Sequence, residues 1–304
     1  MALEATVDRN QIYLGESFIM QVKVTGVRES LDIDLSALTR CGIKRLGSQD
    51  ISNYSITIIN GVMQRRGFSG RVYVFEVTPE NAGDFRAGPV RATYRGETLE
   101  AQGSSIKVTG ITRQDVVSVT IAASRNTVLA DESFSVTLRV KLRRLPGRYS
   151  EIDPIYPNQP PGLTVPFLEN APIEGLKGPD IAALLNSKLA QSADRPGFCL
   201  NNYTVRSDPM ASFFNRSMDF GDPFEQNKAK FMFPRQEMRE GGRDYYEYSV
   251  TVDYVPEKEG NYTFGPALFK GTIPAGGDGR KEPPSREIFA VGPAVTVRVT
   301  PPPE

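Results

Sequence analysis

The chain repeats itself, and no other feature limits its possible folds as much. Arg9-Asn10 leads after four residues into Gly15-Glu16-Ser17-Phe18, and Arg125-Asn126 leads at the same spacing into Asp131-Glu132-Ser133-Phe134, an offset of 116 positions (9 to 125). A second phrase, Pro79-Glu80-Asn81-Ala82-Gly83 with Gly88-Pro89, returns as Pro256-Glu257-Lys258-Glu259-Gly260 with Gly265-Pro266, an offset of 177 (79 to 256). Self-similarity of this kind describes one domain plan used twice. The offsets differ by 61 (177 less 116), so the second copy holds 61 extra residues between its two phrases. The expected domains are 1–112 and 113–304, the second with a large, partly helical insertion at about 145–242.

Each copy reads as all-β. Phe18, Met20, Val22 and Val24 alternate with Ile19, Gln21, Lys23 and Thr25, and Phe134, Val136, Leu138 and Val140 do the same in the second copy. A period of two marks a strand with one buried face. Asn60-Gly61 and Arg95-Gly96 stand where hairpins turn. Tyr73, Phe75 and Val77 share a strand face, and Tyr246, Tyr248, Val250, Val252 and Tyr254 take that place in the repeat. About seven short antiparallel strands in roughly 110 residues fit an immunoglobulin-like sandwich, here two in tandem. The phrase Pro-x-x-x-Gly-x-(Phe/Tyr)-x-x-Gly-Pro reads as a strand end, a reversal and a new strand.

Composition excludes several kinds of function. Net charge is zero, with 36 basic and 36 acidic residues, so nothing marks the chain for nucleic acid or an anionic membrane surface. There is no histidine, which removes Ser-His-Asp and Cys-His catalysis and the commonest zinc ligand. No cofactor loop is present, and Gly67-Phe68-Ser69-Gly70 lacks the lysine of a phosphate loop. Asp32 with Asp34, and Asp208, Asp219 and Asp222, lack a third ligand in view, so neither a metal nor a catalytic residue is expected. The chain reads as non-enzymatic. Cys41 and Cys199 read as two separate thiols in preference to a bridge stapling the two domains, an alternative the sequence leaves open. No stretch approaches the ~20 apolar residues of a membrane span, and no signal peptide opens the chain. The Pro301-Pro302-Pro303 tail reads as a linker in a longer protein.

The insertion has no counterpart in the first copy. It opens proline-rich and continues through a stretch, 179–190, in which Ile181, Leu184, Leu185 and Leu189 share a helical face and Pro179 fits the first turn. An aromatic group follows: Phe198, Tyr203, Phe213, Phe214, Phe220, Phe224, Phe231 and Phe233. These rings either cover the sandwich or form a binding surface. The expected contact stretch is 213–233, with Phe213, Phe214, Asp219, Phe220, Asp222 and Phe224 as candidate partner residues.

Val7-Asp8-Arg9-Asn10 with Leu14-Gly15-Glu16-Ser17-Phe18 resembles the opening of the BatD family, the aerotolerance or oxygen-tolerance proteins. Ile59-Asn60-Gly61, Tyr73-x-Phe75-x-Val77-x-Pro79-x-x-x-Gly83 and Gly88-Pro89 are similar to its first domain, and the phrase from Tyr254 to Pro266 to its second. The resemblance spans both repeats but not 145–242. It implies extracytoplasmic β-sandwiches of a cell-envelope interaction protein, periplasmic and held in the inner membrane by an anchor beyond Glu304. It implies partners too: von Willebrand A-domain proteins and a MoxR-type ATPase. It supplies no catalytic residues. The alternatives are a carbohydrate-binding or adhesion module, and accessory domains of a larger envelope enzyme.

Overall fold

The computed structural model describes residues 1–27, 29–59, 62–192, 194–204, 228–274 and 283–301, with side chains placed at all of these except residues 52–68 and 202. The described chain is all-β, with one α-helix among the described residues, Ile181–Asn186. It divides after Ile111 into two compact units.

In the first unit, four strands lie in the order Ala2–Val7, Phe18–Thr25, Val62–Pro79, Cys41–Ile59. Two three-stranded sheets complete it. One is Gln11–Tyr13, Ser104–Thr109, Gly83–Ala87; the other is Ile33–Asp34, Val90–Tyr94, Glu97–Ala101. The alternation in sequence becomes alternation in burial. Phe18, Met20, Val22 and Val24 are buried, as are Tyr73, Phe75 and Val77 on the neighbouring strand. Ile12, Ile106, Val108, Val90 and Ala92 from the other two sheets join the same core. Each large apolar side chain so buried contributes roughly 1.5–3 kcal/mol before entropy is counted.

The second unit repeats the pairing rung by rung. Phe18 pairs with Val77, and Phe134 with Tyr254. Gly83 pairs with Val108, and Gly260 with Val299. The first offset thus carries Phe18 to Phe134 and the second carries Val77 to Tyr254. Both Gly-Pro pairs, Gly88-Pro89 and Gly265-Pro266, have cis peptide bonds.

The units differ at one edge strand. In the first, Cys41–Ile59 pairs with Val62–Pro79 along its whole length, with an irregularity between Arg45 and Gly47. In the second, the equivalent edge is divided. Leu176–Lys177 pairs with one end of strand Arg243–Pro256 and Arg235–Glu240 with the other. Residues 178–234 lie between these two segments. They supply the helix and two strands, Phe198–Thr204 and Lys228–Phe231. These strands widen the sheet of Gly162–Thr164, Ala267–Pro274 and Ser285–Gly292 to five.

Several expectations from the sequence need correction. The first unit is not built of short strands throughout, because its hairpin strands run 19 and 18 residues. Nor is every pairing antiparallel. Gln11–Tyr13 pairs in parallel with Ser104–Thr109, Thr127–Leu129 with Val295–Thr300, and Gly162–Thr164 with Phe198–Thr204. The first two arise because the chain leaves one sheet near Asp8 or Ser124 and runs on into another, meeting the last strand of its unit in parallel. The helix is only six residues long. Its N-cap is Asp180, whose carboxylate accepts the Ala183 N–H at 3.1 Å, so Pro179 lies outside the first turn. Ile59 and Val62 pair as a hairpin requires, while Asn60 and Gly61 lie outside the described residues.

Candidate interaction surface

The repeated phrases are built into turns. The Glu16 carboxylate accepts the Tyr13 N–H at 2.8 Å, and the Glu132 carboxylate accepts the Leu129 N–H at 3.1 Å. Glu16 N–H donates back to the Tyr13 carbonyl, and Glu132 N–H to the Leu129 carbonyl. The residue before each glutamate, Gly15 or Asp131, has positive φ, which closes the turn. Asp8 accepts the Ile19 N–H at 2.8 Å, and Ser124, its counterpart, accepts the Ser135 N–H at 2.9 Å. Glu132 also forms an ion pair with Arg125. Gly83 and Gly260 both have positive φ just after the strands ending at Pro79 and Pro256. The glutamate common to both copies of the first phrase and the polar residue ahead of it are thus occupied in closing turns, while the second phrase contributes its positive-φ glycines.

Asp34 caps a turn as well. Its carboxylate receives the Ser36 N–H at 2.9 Å, and the hydrogen bonds from Ser36 hold it below the usual carboxylate range. Asp32 is exposed two residues away, and no third acidic, histidine or cysteine group joins the pair among the described residues. No disulfide joins Cys41 to Cys199. Burial, then the charge of Glu80, pushes the Cys41 thiol up, away from the thiolate that nucleophilic or metal chemistry needs.

The described members of the aromatic group are core or pack against it. Phe198, Phe231 and Phe233 are buried. Phe198 stacks on Phe233 with centroids 5.6 Å apart and meets Tyr248 edge-on at 5.2 Å, while Tyr203 meets Phe231 edge-on at 5.7 Å. Phe213, Phe214, Asp219, Phe220, Asp222 and Phe224, like Asp208, lie outside the described residues.

One constellation was not foreseen from sequence. The Tyr246 ring has Arg235 over it at 4.2 Å and Arg144 at 4.7 Å. Arg235 binds Asp153 at 2.8 Å, and Arg144 binds Glu237 at 2.9 Å. Next to it, burial and then the charge of Asp153 push the Tyr248 hydroxyl far above its ordinary pKa. Glu247, a buried carboxylate, accepts from Gln236 at 2.8 Å and lies 3.8 Å from Arg139. The two arginines are 91 positions apart, so only the alternation of Tyr246 and Tyr248 hinted at the site. Its charges are matched in opposite pairs, and it fastens residues before and after 178–234 to a single strand.

Among solved structures, the chain is similar to the C-terminal domain of the AgI/II polypeptide BspA of Streptococcus agalactiae at 6% identity, over 97% of this chain and 99% of that one, with a TM-score of 0.28. It is similar to the collagen adhesin of S. aureus at 9% identity, over 97% and 94%, with a TM-score of 0.22. The Yersinia pseudotuberculosis adhesin InvE gives 8% identity over 96% and 58%, with a TM-score of 0.15. Similarity this low has no bearing on the site. No curated protein matches the sequence. Residues 5–108 match the family model described as the BatD DUF11-like domain. That span holds both phrases of the first copy and runs to within one residue of the end of its closing strand, Ser104–Thr109. Over residues 5–108, about a third of its length, the chain thus carries a domain similar to the DUF11-like domain of the BatD family.

Proposed function

We propose that the chain is the extracytoplasmic, non-enzymatic part of a BatD-type cell-envelope interaction protein, two immunoglobulin-like sandwiches in tandem carried on a membrane anchor beyond Glu304. In this reading the second sandwich is 113–304, and the segment distinguishing it from the first carries the specific contact. The observation that carries the reading is the match of residues 5–108 to the BatD domain model. The turn-closing roles of Glu16, Glu132, Asp8 and Ser124 support it, because the first repeated phrase serves architecture in both copies. A chain without histidine lacks the usual proton carrier of hydrolytic sites.

The partner proposed is a von Willebrand A-domain protein, and the contact stretch includes Phe213, Phe214, Asp219, Phe220, Asp222 and Phe224. Such domains can bind through a metal that takes a carboxylate from the ligand, a role open to Asp219 or Asp222. The test is calorimetric titration of the purified chain with a von Willebrand A-domain protein encoded beside it. A second chain lacks 208–226, which leaves strand Lys228–Phe231 and Phe233 in place. Binding that disappears in the trimmed but folded chain is the expected result. Undiminished binding by the trimmed chain removes the stretch as interface, and no binding by the intact chain removes the partner.

A further inference from the structure

The hairpin of the first unit outgrows its sheet. Strand Phe18–Thr25 runs beside it only from the Phe18–Val77 rung to the Thr25–Gly70 rung, and Gly26 N–H then donates to the Ser69 carbonyl at 2.8 Å. Beyond that point the two hairpin strands pair with each other alone, from Ser52 opposite Ser69 to Ile59 opposite Val62. Among the described residues no third strand meets them. At the last rung the two strands approach closely, since a Cβ on Gly70 would fall 2.4 Å from the Val24 carbonyl oxygen. Eight rungs at about 3.3 Å each carry the ribbon about 25 Å past the sheet. In the second unit, strand Phe134–Arg143 runs beside the hairpin as far as the Arg143–Tyr245 rung, close to its start at Arg243.

A two-stranded ribbon is marginal in water, and a long uncharged edge strand invites pairing. Near the body, the outer edge of Cys41–Ile59 carries the usual protections: Lys44, Arg45, Asp50 and a bulge between Arg45 and Gly47. From 51 to 59 the sequence is Ile-Ser-Asn-Tyr-Ser-Ile-Thr-Ile-Ile, with no charge, proline or glycine. Nothing in that stretch guards the edge. The opposite strand is guarded, because Arg65-Arg66 sit in the middle of residues 62–69.

The two edges therefore differ in what they admit. Antiparallel self-pairing of 62–69 about a two-fold axis sets Arg65 opposite Arg66 of the other copy, which is unfavourable. Self-pairing of 51–59 sets Ser55 opposite Ser55, Tyr54 opposite Ile56 and Ile51 opposite Ile59, with no like charges facing. Such a contact is closed and self-complementary.

We propose that this arm is a dimerisation element, in which the 51–59 edges of two copies pair antiparallel about a two-fold axis through Ser55 to form a four-stranded sheet. The proposal does not depend on the envelope reading.

Sedimentation equilibrium of the intact chain tests it. The expected species has twice the 33.5 kDa chain mass. Ile56→Lys/Ile58→Lys is expected to weaken the dimer by at least about tenfold, since a charged edge resists pairing. At concentrations where both chains are monomeric, the thermal unfolding midpoints of the variant and the parent should agree, which separates lost pairing from a damaged fold. A chain with Ser55→Cys in a Cys41→Ser/Cys199→Ser background is expected to cross-link on mild oxidation, and one with Gln64→Cys is not. A chain that remains monomeric at every concentration overturns the proposal, whatever then covers the edge. So does a dimer indifferent to the two lysines, or equal cross-linking at Gln64→Cys.

Discussion

At the residue scale, the repeated phrases matter through single hydrogen bonds whose worth depends on burial. Glu16 and Glu132 make the same bond in the two units, but the first is part-buried at 2.8 Å and the second exposed at 3.1 Å. Glu16→Ala is therefore expected to destabilise its unit by about 1–2 kcal/mol, and Glu132→Ala its own by less, about 0.5–1 kcal/mol, as urea denaturation of the single variants will measure. Tyr254 sets an alkaline limit. Burial pushes its hydroxyl up to about 12, against an ordinary value of 10.0. A folded-state pKa raised above the unfolded one stabilises the fold fully below pH 10, and the benefit is lost as pH climbs toward 12. The second unit should lose roughly 2 kcal/mol across that interval from this group, after allowing for its partial screening. Tyr254→Phe should flatten that part of the profile of melting temperature against pH. A slope identical in the variant would remove Tyr254 as the cause.

At the element scale, the alternating strands were legible because burial follows a period of two, and Phe18 to Val24 and Phe134 to Val140 are inward at every second position. The hairpin register was legible from Asn60-Gly61, since Ile59 pairs with Val62. Arg95-Gly96 was equally readable, and both residues have positive φ. The length of the Cys41–Ile59 strand was not, because its body-proximal part is exposed on both faces and leaves no alternation to read. The divided edge strand was hidden for another reason. Leu176–Lys177 is two residues long, and only its pairing with Val255 and Pro256 identifies it. The fate of the aromatic group also depended on pairing. Phe198 and Phe231 face each other across two strands that join the sheet of Ala267–Pro274, so they are core by register. It follows that 178–234 cannot be removed as a surface loop. Replacing it with a short linker, to make the edge continuous as in the first unit, strips Phe198, Leu200, Phe231 and Phe233 from the core. The second unit is then expected to lose its cooperative transition by near-ultraviolet circular dichroism, because even one such aromatic costs about 3–5 kcal/mol.

At the scale of the whole molecule, the two units carry separate cores. Phe18, Tyr73 and Ile106 belong to one group of buried side chains, and Phe134, Tyr254 and Phe264 to the other, with none shared among the described residues. Among the described residues the second core is larger, and Ile155, Leu163, Val165, Phe167 and Leu168 as well as Phe198, Leu200 and Phe231 add to it. Separate cores imply separate unfolding reactions, since cooperativity is carried by packed side chains. Phe18 and Phe134 are the natural probes: they are equivalent by rung, both are buried, and each packs on aromatic neighbours. Phe18 lies 5.9 Å from Phe85, and Phe134 lies 5.8 Å from Tyr254 and 5.9 Å from Phe264. Either change to alanine should cost roughly 3–5 kcal/mol, but each in its own unit. Hydrogen exchange read by mass spectrometry can assign the loss. Phe18→Ala is expected to speed exchange in strands Phe18–Thr25 and Ser104–Thr109 while leaving Val295–Thr300 protected. Phe134→Ala is expected to do the reverse. If either substitution exposes both sets of strands together, the chain unfolds as one body and the division after Ile111 has no energetic meaning.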